Sequence, residues 1–207
     1  LEQTFMKIAL IDYQAGNLTS VRKALATVGA EAFTPATPAD LAGADGVIVP
    51  GVGHFSATAA LDASWRLTVV DLLNRRRPLL GICLGLQWLF EGSEEAPELP
   101  GLGLLPGRCR LLNAPGLKVP HVGWNTLAIT RPSTALQDVP DGAYAYFTHS
   151  YIAPITDACV ATTTHGEPFA AVVEQDLVMG AQFHPEKSGD VGLAILRRFL
   201  SKVEEGR

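Results

Sequence analysis

The chain has 207 residues, of which 47% are hydrophobic and only 18% charged, with a net charge of −5. Those proportions exclude a disordered tail or a fibrous repeat, and the acidic balance is a poor footprint for nucleic acid or an anionic membrane. Three cysteines far apart (Cys83, Cys109 and Cys159) fit free thiols in a reducing, cytoplasmic setting rather than a disulfide framework or a zinc ribbon.

Leu1 to Phe5 lack the basic region of a secretion signal, and Met6 reads as a natural start. Residues 1–5 are therefore expected to be a leader or cloning remnant, and 6–207 a single domain. Lys7 to Asp12 is an apolar run of strand length. Leu18, Val21, Leu25 and Val28 then follow helical spacing, with Asn17 suited to the N-cap and Gly29 to the residue past the C-terminus. Glu31 to Thr34 and Gly46 to Val49 are further strands, the second ending in Pro50-Gly51-Val52-Gly53. A helical stretch runs from about Ser56 to Arg75, with a break expected near Ser64. Pro78 to Ile82 is apolar on both faces and reads as a central strand.

Strands alternating with helices predict a parallel sheet covered on both faces. Gly92 to Gly103 reads as a surface loop, after which strand candidates crowd together. These are Gly107 to Leu112, Thr126 to Thr130, Ala143 to Ile152, Cys159 to Thr164, Ala170 to Glu174 and Val178 to Phe183. Some of them are expected to pair antiparallel. An amphipathic helix from Asp190 to Val203 closes the chain. The expected fold is one α/β domain with a mixed, mostly parallel central sheet flanked by helices.

Gly81-Ile82-Cys83-Leu84-Gly85 follows the central strand and opens the next helix. This is the strand–turn–helix elbow of a nucleophile, with cysteine in the place often held by serine. A lone cysteine in an apolar strand is usually core; the two glycines and the strand–helix setting favour a nucleophile here. A thiolate needs an imidazole, and the imidazole an orienting group. His184 lies just past an apolar strand in Phe183-His184-Pro185-Glu186, so Glu186 can turn back to it. His54, His121 and His165 sit in loop-like contexts and read as surface residues. His-x-Glu also occurs in zinc deaminases, but no Pro-Cys-x-x-Cys follows, so no metal site is expected. Backbone N–H groups of Gly51, Val52 and Gly53, with that of Leu84, are candidate donors to a tetrahedral oxyanion.

Gly-Ile-Cys-Leu-Gly with a distant His-Pro-Glu resembles the class I (triad) glutamine amidotransferases over nearly the whole chain. Asp12 to Asn17, Pro50 to Gly53, Lys118 to Asn125, Tyr146 to Tyr151 and His184 to Ser188 resemble the branch serving as glutaminase subunits of imidazole glycerol phosphate synthases. One position departs, Gln14, where that branch usually has glycine. The resemblance implies a flavodoxin-like architecture, no cofactor, glutamine as substrate, and catalysis by Cys83, His184 and Glu186. It also implies that Gln87, Glu95 and the backbone of His149, Ser150 and Tyr151 hold the glutamine head group. A (β/α)8-barrel cyclase is implied as partner, taking up ammonia and making imidazole glycerol phosphate and AICAR ribonucleotide. Trp124, Tyr146 and Lys187 are then expected near the subunit seam, and Pro50 to Gly53 as a mobile gate. Two other readings stay open: a stand-alone cysteine γ-glutamyl hydrolase with the same triad, and a non-catalytic flavodoxin-like binding module suggested by Asp12 at the end of the first strand.

Overall fold

In the computed structural model, which describes residues 6–16 and 18–207, short branched runs become strands and amphipathic runs become the helices that cover them. The expected leader, residues 1–5, and Asn17, the expected N-cap, lie outside the described residues. β1 (Lys7–Leu10) leads to α1 (Leu18–Thr27), β2 (Glu31–Phe33) and β3 (Gly46–Val49). α2 (Ala63–Asn74) precedes β4 (Leu79–Ile82), which turns at Cys83 into the short α3 (Leu84–Leu89). The later strands are β5 (Gly92–Ser93), β6 (Arg108–Leu111), β7 (His121–Thr126), β8 (Ala128–Ile129) and β9 (Tyr144–His149). They are followed by β10 (Tyr151–Ile152), β11 (Cys159–His165), β12 (Glu167–Gln175), β13 (Val178–Ala181) and the closing helix α4 (Gly189–Glu205).

The main sheet has the order β2-β1-β3-β4-β13-β12-β11-β8. From β2 to β13 the neighbours are parallel; β12, β11 and β8 extend the sheet antiparallel. Alternation along each strand feeds two apolar layers. Ile8, Leu10, Ile48, Leu80 and Ile82 face α1 and α4, and pack with Val21, Leu25, Ile195 and Phe199. Ala9, Ile11, Val47, Val49 and Leu79 face α2 and α3, and pack with Val69, Leu72, Leu86 and Trp88. β3, β4 and β13 are buried at every residue, as strands covered on both faces must be.

Several boundaries differ from the sequence reading. The break in the second helical stretch falls at Leu61-Asp62, where the Asp62 carboxylate caps α2 by accepting from Ser64 N–H at 2.9 Å and Trp65 N–H at 3.2 Å. The part before it is a 3-10 helix, Phe55–Ala60. The stretch from Ala143 to Ile152 is two strands in different sheets, β9 paired with β7 and β10 with β6. β7 was not expected as a strand. The loop beginning at Gly92 contributes the two-residue β5 to the sheet of β6 and buries Ser93 and Ala96. Gln14 adopts φ +62°, a left-handed conformation that glycine takes without strain.

Candidate active site

Parallel strands deliver their following loops to one edge, and β4 lies between β3 and β13. The carboxyl ends of these three strands therefore bring together Pro50 to Gly53, Cys83 and His184. Cys83 sits at φ 51° and ψ −103°, a strained turn that holds its side chain off both the strand and α3. Gly85 lets the elbow close on β3, because any Cβ there would run into the Val49 carbonyl. The thiol is 4% exposed. Gln182 Nε2 donates to Cys83 Sγ at 3.8 Å, and Sγ is 3.8 Å from the Thr148 carbonyl oxygen.

His184 is held at both ends. Its backbone N–H donates to the Tyr146 carbonyl at 2.9 Å. Buried Ser188 Oγ donates to the His184 carbonyl at 2.7 Å while accepting from Tyr146 N–H at 2.9 Å. The imidazole Nδ1 donates to Glu186 Oε1 at 2.8 Å, with the two side chains 2% and 4% exposed. Nδ1 is thus the protonated nitrogen facing Glu186. Burial opposes a charged imidazole, but interaction with Cys83 and the hydrogen bond to Glu186 prevail and hold its pKa well above the ordinary histidine range.

A cavity of about 230 Å³ opens over Cys83. Of the residues expected around a glutamine head group, Gly53, Leu84, Gln87, Glu95, His149, Ser150 and Tyr151 line it. Gly51, Val52 and His184 are not among its lining residues. Gln87 Nε2 donates to the Tyr151 carbonyl at 2.9 Å, and Glu95 Oε2 accepts from Phe55 N–H at 2.7 Å. Two of the four candidate oxyanion donors are engaged elsewhere. Val52 N–H donates to the Ala15 carbonyl, and Leu84 N–H to the Gly51 carbonyl at 3.2 Å.

The reading of His121 as a surface residue is corrected: it is 4% exposed in β7. It belongs to a relay whose tautomers follow from its last acceptor. The Tyr151 carbonyl can only accept, so His149 Nδ1, 3.0 Å away, carries a proton and Nε2 is the acceptor. His121 Nδ1–H, at 3.1 Å, donates to that Nε2, and Asn125 Nδ2, at 3.2 Å, donates to His121 Nε2. Burial and neighbouring histidines depress His149 to about 3 and His121 to about 4, so both stay neutral at ordinary pH. His165 stacks on His121 at 4.2 Å, and His54 is exposed. Pro120, Thr148 and Gln182 were also missed as site residues; the first two lie in stretches that carry the resemblance, but only the tertiary fold brings all three to Cys83.

Trp124 and Tyr146 are partners across β7 and β9, with ring centroids 5.9 Å apart, and Lys187 Nζ lies 5.9 Å from the Tyr146 ring. Trp124 is 56% exposed, so it is not core. Among the described residues no cluster of three or more His, Cys, Asp or Glu is placed to hold a metal, and no helix is long and apolar enough to cross a membrane.

The family model for glutamine amidotransferase class-I matches residues 9–203. The chain is 50% identical over 199 residues to an imidazole glycerol phosphate synthase subunit HisH of Xylella fastidiosa, covering 94% of this chain and 96% of the relative. It is 45% identical over 197 residues to the HisH subunit of Methanothermobacter thermautotrophicus, covering 95% and 98%. In fold it is similar to PurLQS from Thermotoga maritima, with a TM-score of 0.73 at 19% identity, covering 96% of this chain and 99% of that one.

Proposed function

Since the chain belongs to the class I glutamine amidotransferases and is similar along nearly its whole length to HisH subunits, we propose that it is the glutaminase subunit of an imidazole glycerol phosphate synthase. The observation that carries this reading is the buried His184–Glu186 pair delivered to the same sheet edge as Cys83, which itself lines a cavity of amino-acid scale. Cys83 gives its thiol proton to His184 Nε2 as Sγ attacks the carboxamide carbon of glutamine and pushes its π electrons onto oxygen. The tetrahedral intermediate collapses as His184 gives a proton to the departing nitrogen, leaving a γ-glutamyl thioester and ammonia. Water, activated by the same imidazole, then releases glutamate and restores the thiol. Glu186 orients the ring and supports its positive charge.

The gate follows from the two engaged donors. With Val52 N–H on Ala15 and Leu84 N–H on Gly51, these two donors reach the developing oxyanion only when the Gly51–Val52 peptide turns over. Docking of a (β/α)8-barrel cyclase against Trp124, Tyr146 and Lys187, beside the His184 loop, supplies the bias. One correctly placed donor contributes about 2.7–4 kcal/mol, or two to three decades in rate. The released ammonia then passes to the cyclase rather than to bulk water. The test is glutamate release by the isolated chain, by the complex, and by the complex loaded with imidazole glycerol phosphate. Strong activation on loading is expected. An isolated chain already running at the loaded rate overturns the gate and favours a stand-alone γ-glutamyl hydrolase.

A further inference from the structure

Tyr13, in the loop between β1 and α1, is 6% exposed, and its hydroxyl is buried without a hydrogen-bond partner among the described residues. An orphaned buried hydroxyl destabilises the state that leaves it so, and its presence in a folded protein needs a reason. The ring is wedged against the gate. A Cβ at Gly51 would collide with the Tyr13 hydroxyl oxygen, and would also sit 2.9 Å from Leu84 Cβ. Only glycine at this position lets the phenol reach the backbone.

The Gly51–Val52 peptide is clamped on both sides, its N–H on the Ala15 carbonyl and its carbonyl on Leu84 N–H. Turning it over exchanges the two directions. Val52 N–H then points with Leu84 N–H toward the forming oxyanion, and the Gly51 carbonyl points at the Ala15 carbonyl. Two carbonyl oxygens facing each other repel, and the flipped one is a buried acceptor in need of a donor. Tyr13 stands two residues before Ala15 in the same loop, with its donor unused and already against Gly51.

We propose that Tyr13 is a latch for the active state, its hydroxyl donating to the Gly51 carbonyl once the peptide has turned over. The proposal rests on the glutaminase reading above and deepens its oxyanion switch. Tyr13 is a positioning residue: it acts through Gly51 and does not touch glutamine. Burial, reinforced by the nearby Cys83, pushes its pKa up, so the hydroxyl keeps its proton at any working pH. The same group is unsatisfied at rest and satisfied when the gate is open, which tilts the equilibrium toward opening.

The test is Tyr13→Phe in the complex with the cyclase subunit, loaded with imidazole glycerol phosphate. We expect kcat to fall about 3–10-fold, equivalent to about 0.7–1.4 kcal/mol, with KM for glutamine unchanged. The unfolding midpoint of the isolated chain is expected to stay level or rise, because an unmet hydroxyl has been removed. A second readout is the Val52 amide resonance in the Cys83→Ala complex, which shifts on loading with Tyr13 present and shifts less with phenylalanine. If Val52 does not move and loading does not activate even the Tyr13 complex, the switch itself is wrong. If both occur equally in the two chains, the latch alone is wrong. A lower midpoint with a raised KM assigns Tyr13 to packing and overturns the proposal.

Discussion

Replacing Glu186 by glutamine keeps the shape of the side chain and removes its charge. The carboxylate is 4% exposed and accepts His184 Nδ1–H at 2.8 Å. A hydrogen bond to a charged group contributes about 1.5–3 kcal/mol, against about 0.5–1.5 kcal/mol for a neutral pair. The difference, about 1–1.5 kcal/mol, predicts a tenfold or so loss of kcat/KM for glutamine in the complex. Glu186 Oε2 is buried without a partner among the described residues, so the glutamine amide NH2 placed there is an unmet donor. That costs about 1–3 kcal/mol of stability. The proton balance shifts too. The folded pKa of His184 lies above its unfolded value, so its stabilisation is fully present below about pH 6.5 and is lost as pH rises through the folded value. Glu186→Gln lowers that folded value, and the loss then sets in at lower pH. The assay is glutamate release between about pH 6 and 10, beside thermal unfolding over the same range. A variant as inactive as His184→Ala, or with its alkaline limb where the parent has it, refutes the reasoning.

Cys83→Ala is expected to abolish glutamine-dependent synthesis in the complex while leaving synthesis from added ammonium salts intact; residual glutamine hydrolysis would remove Cys83 from its role. His121→Phe preserves the ring that stacks on Phe147 at 4.9 Å but deletes the donor to His149. Losing one buried hydrogen bond of about 1–1.5 kcal/mol predicts a KM for glutamine raised roughly 5–10-fold, with kcat little changed. An unchanged KM would detach the histidine relay from the substrate cavity.

The elbow and the His-Pro-Glu step were legible because each is a local pattern, and the strand before each carries its residue to the carboxyl edge. The central strands were legible too, since burial on both faces leaves unbroken apolar runs. β7 was not, because its alternation is inverted. Val122 and Trp124 are exposed while His121 is buried, so a periodicity search for apolar residues on the inner face finds nothing. The join of β9 and β10 was invisible for the opposite reason: the apolar pattern runs on through Ser150 although the chain changes sheets there. Tyr13 and Ser188 stand in stretches that carry the resemblance, but nothing in the sequence marked a role for either. Their importance lies in what the tertiary fold places against them, Gly51 for the one and Tyr146 for the other.

β13 is late in the chain yet central in the sheet, seated between β4 and β12. Every interaction it makes with β4 closes a loop of about a hundred residues, which is slow to search and is repaid only once both flanking strands are present. The nucleophile and its proton carrier are therefore separated in the nascent chain and meet only on insertion of this strand. An incompletely folded or truncated molecule has its thiol but not its imidazole. Catalytic competence becomes a report on the completion of folding, and half-made chains are spared from consuming glutamine.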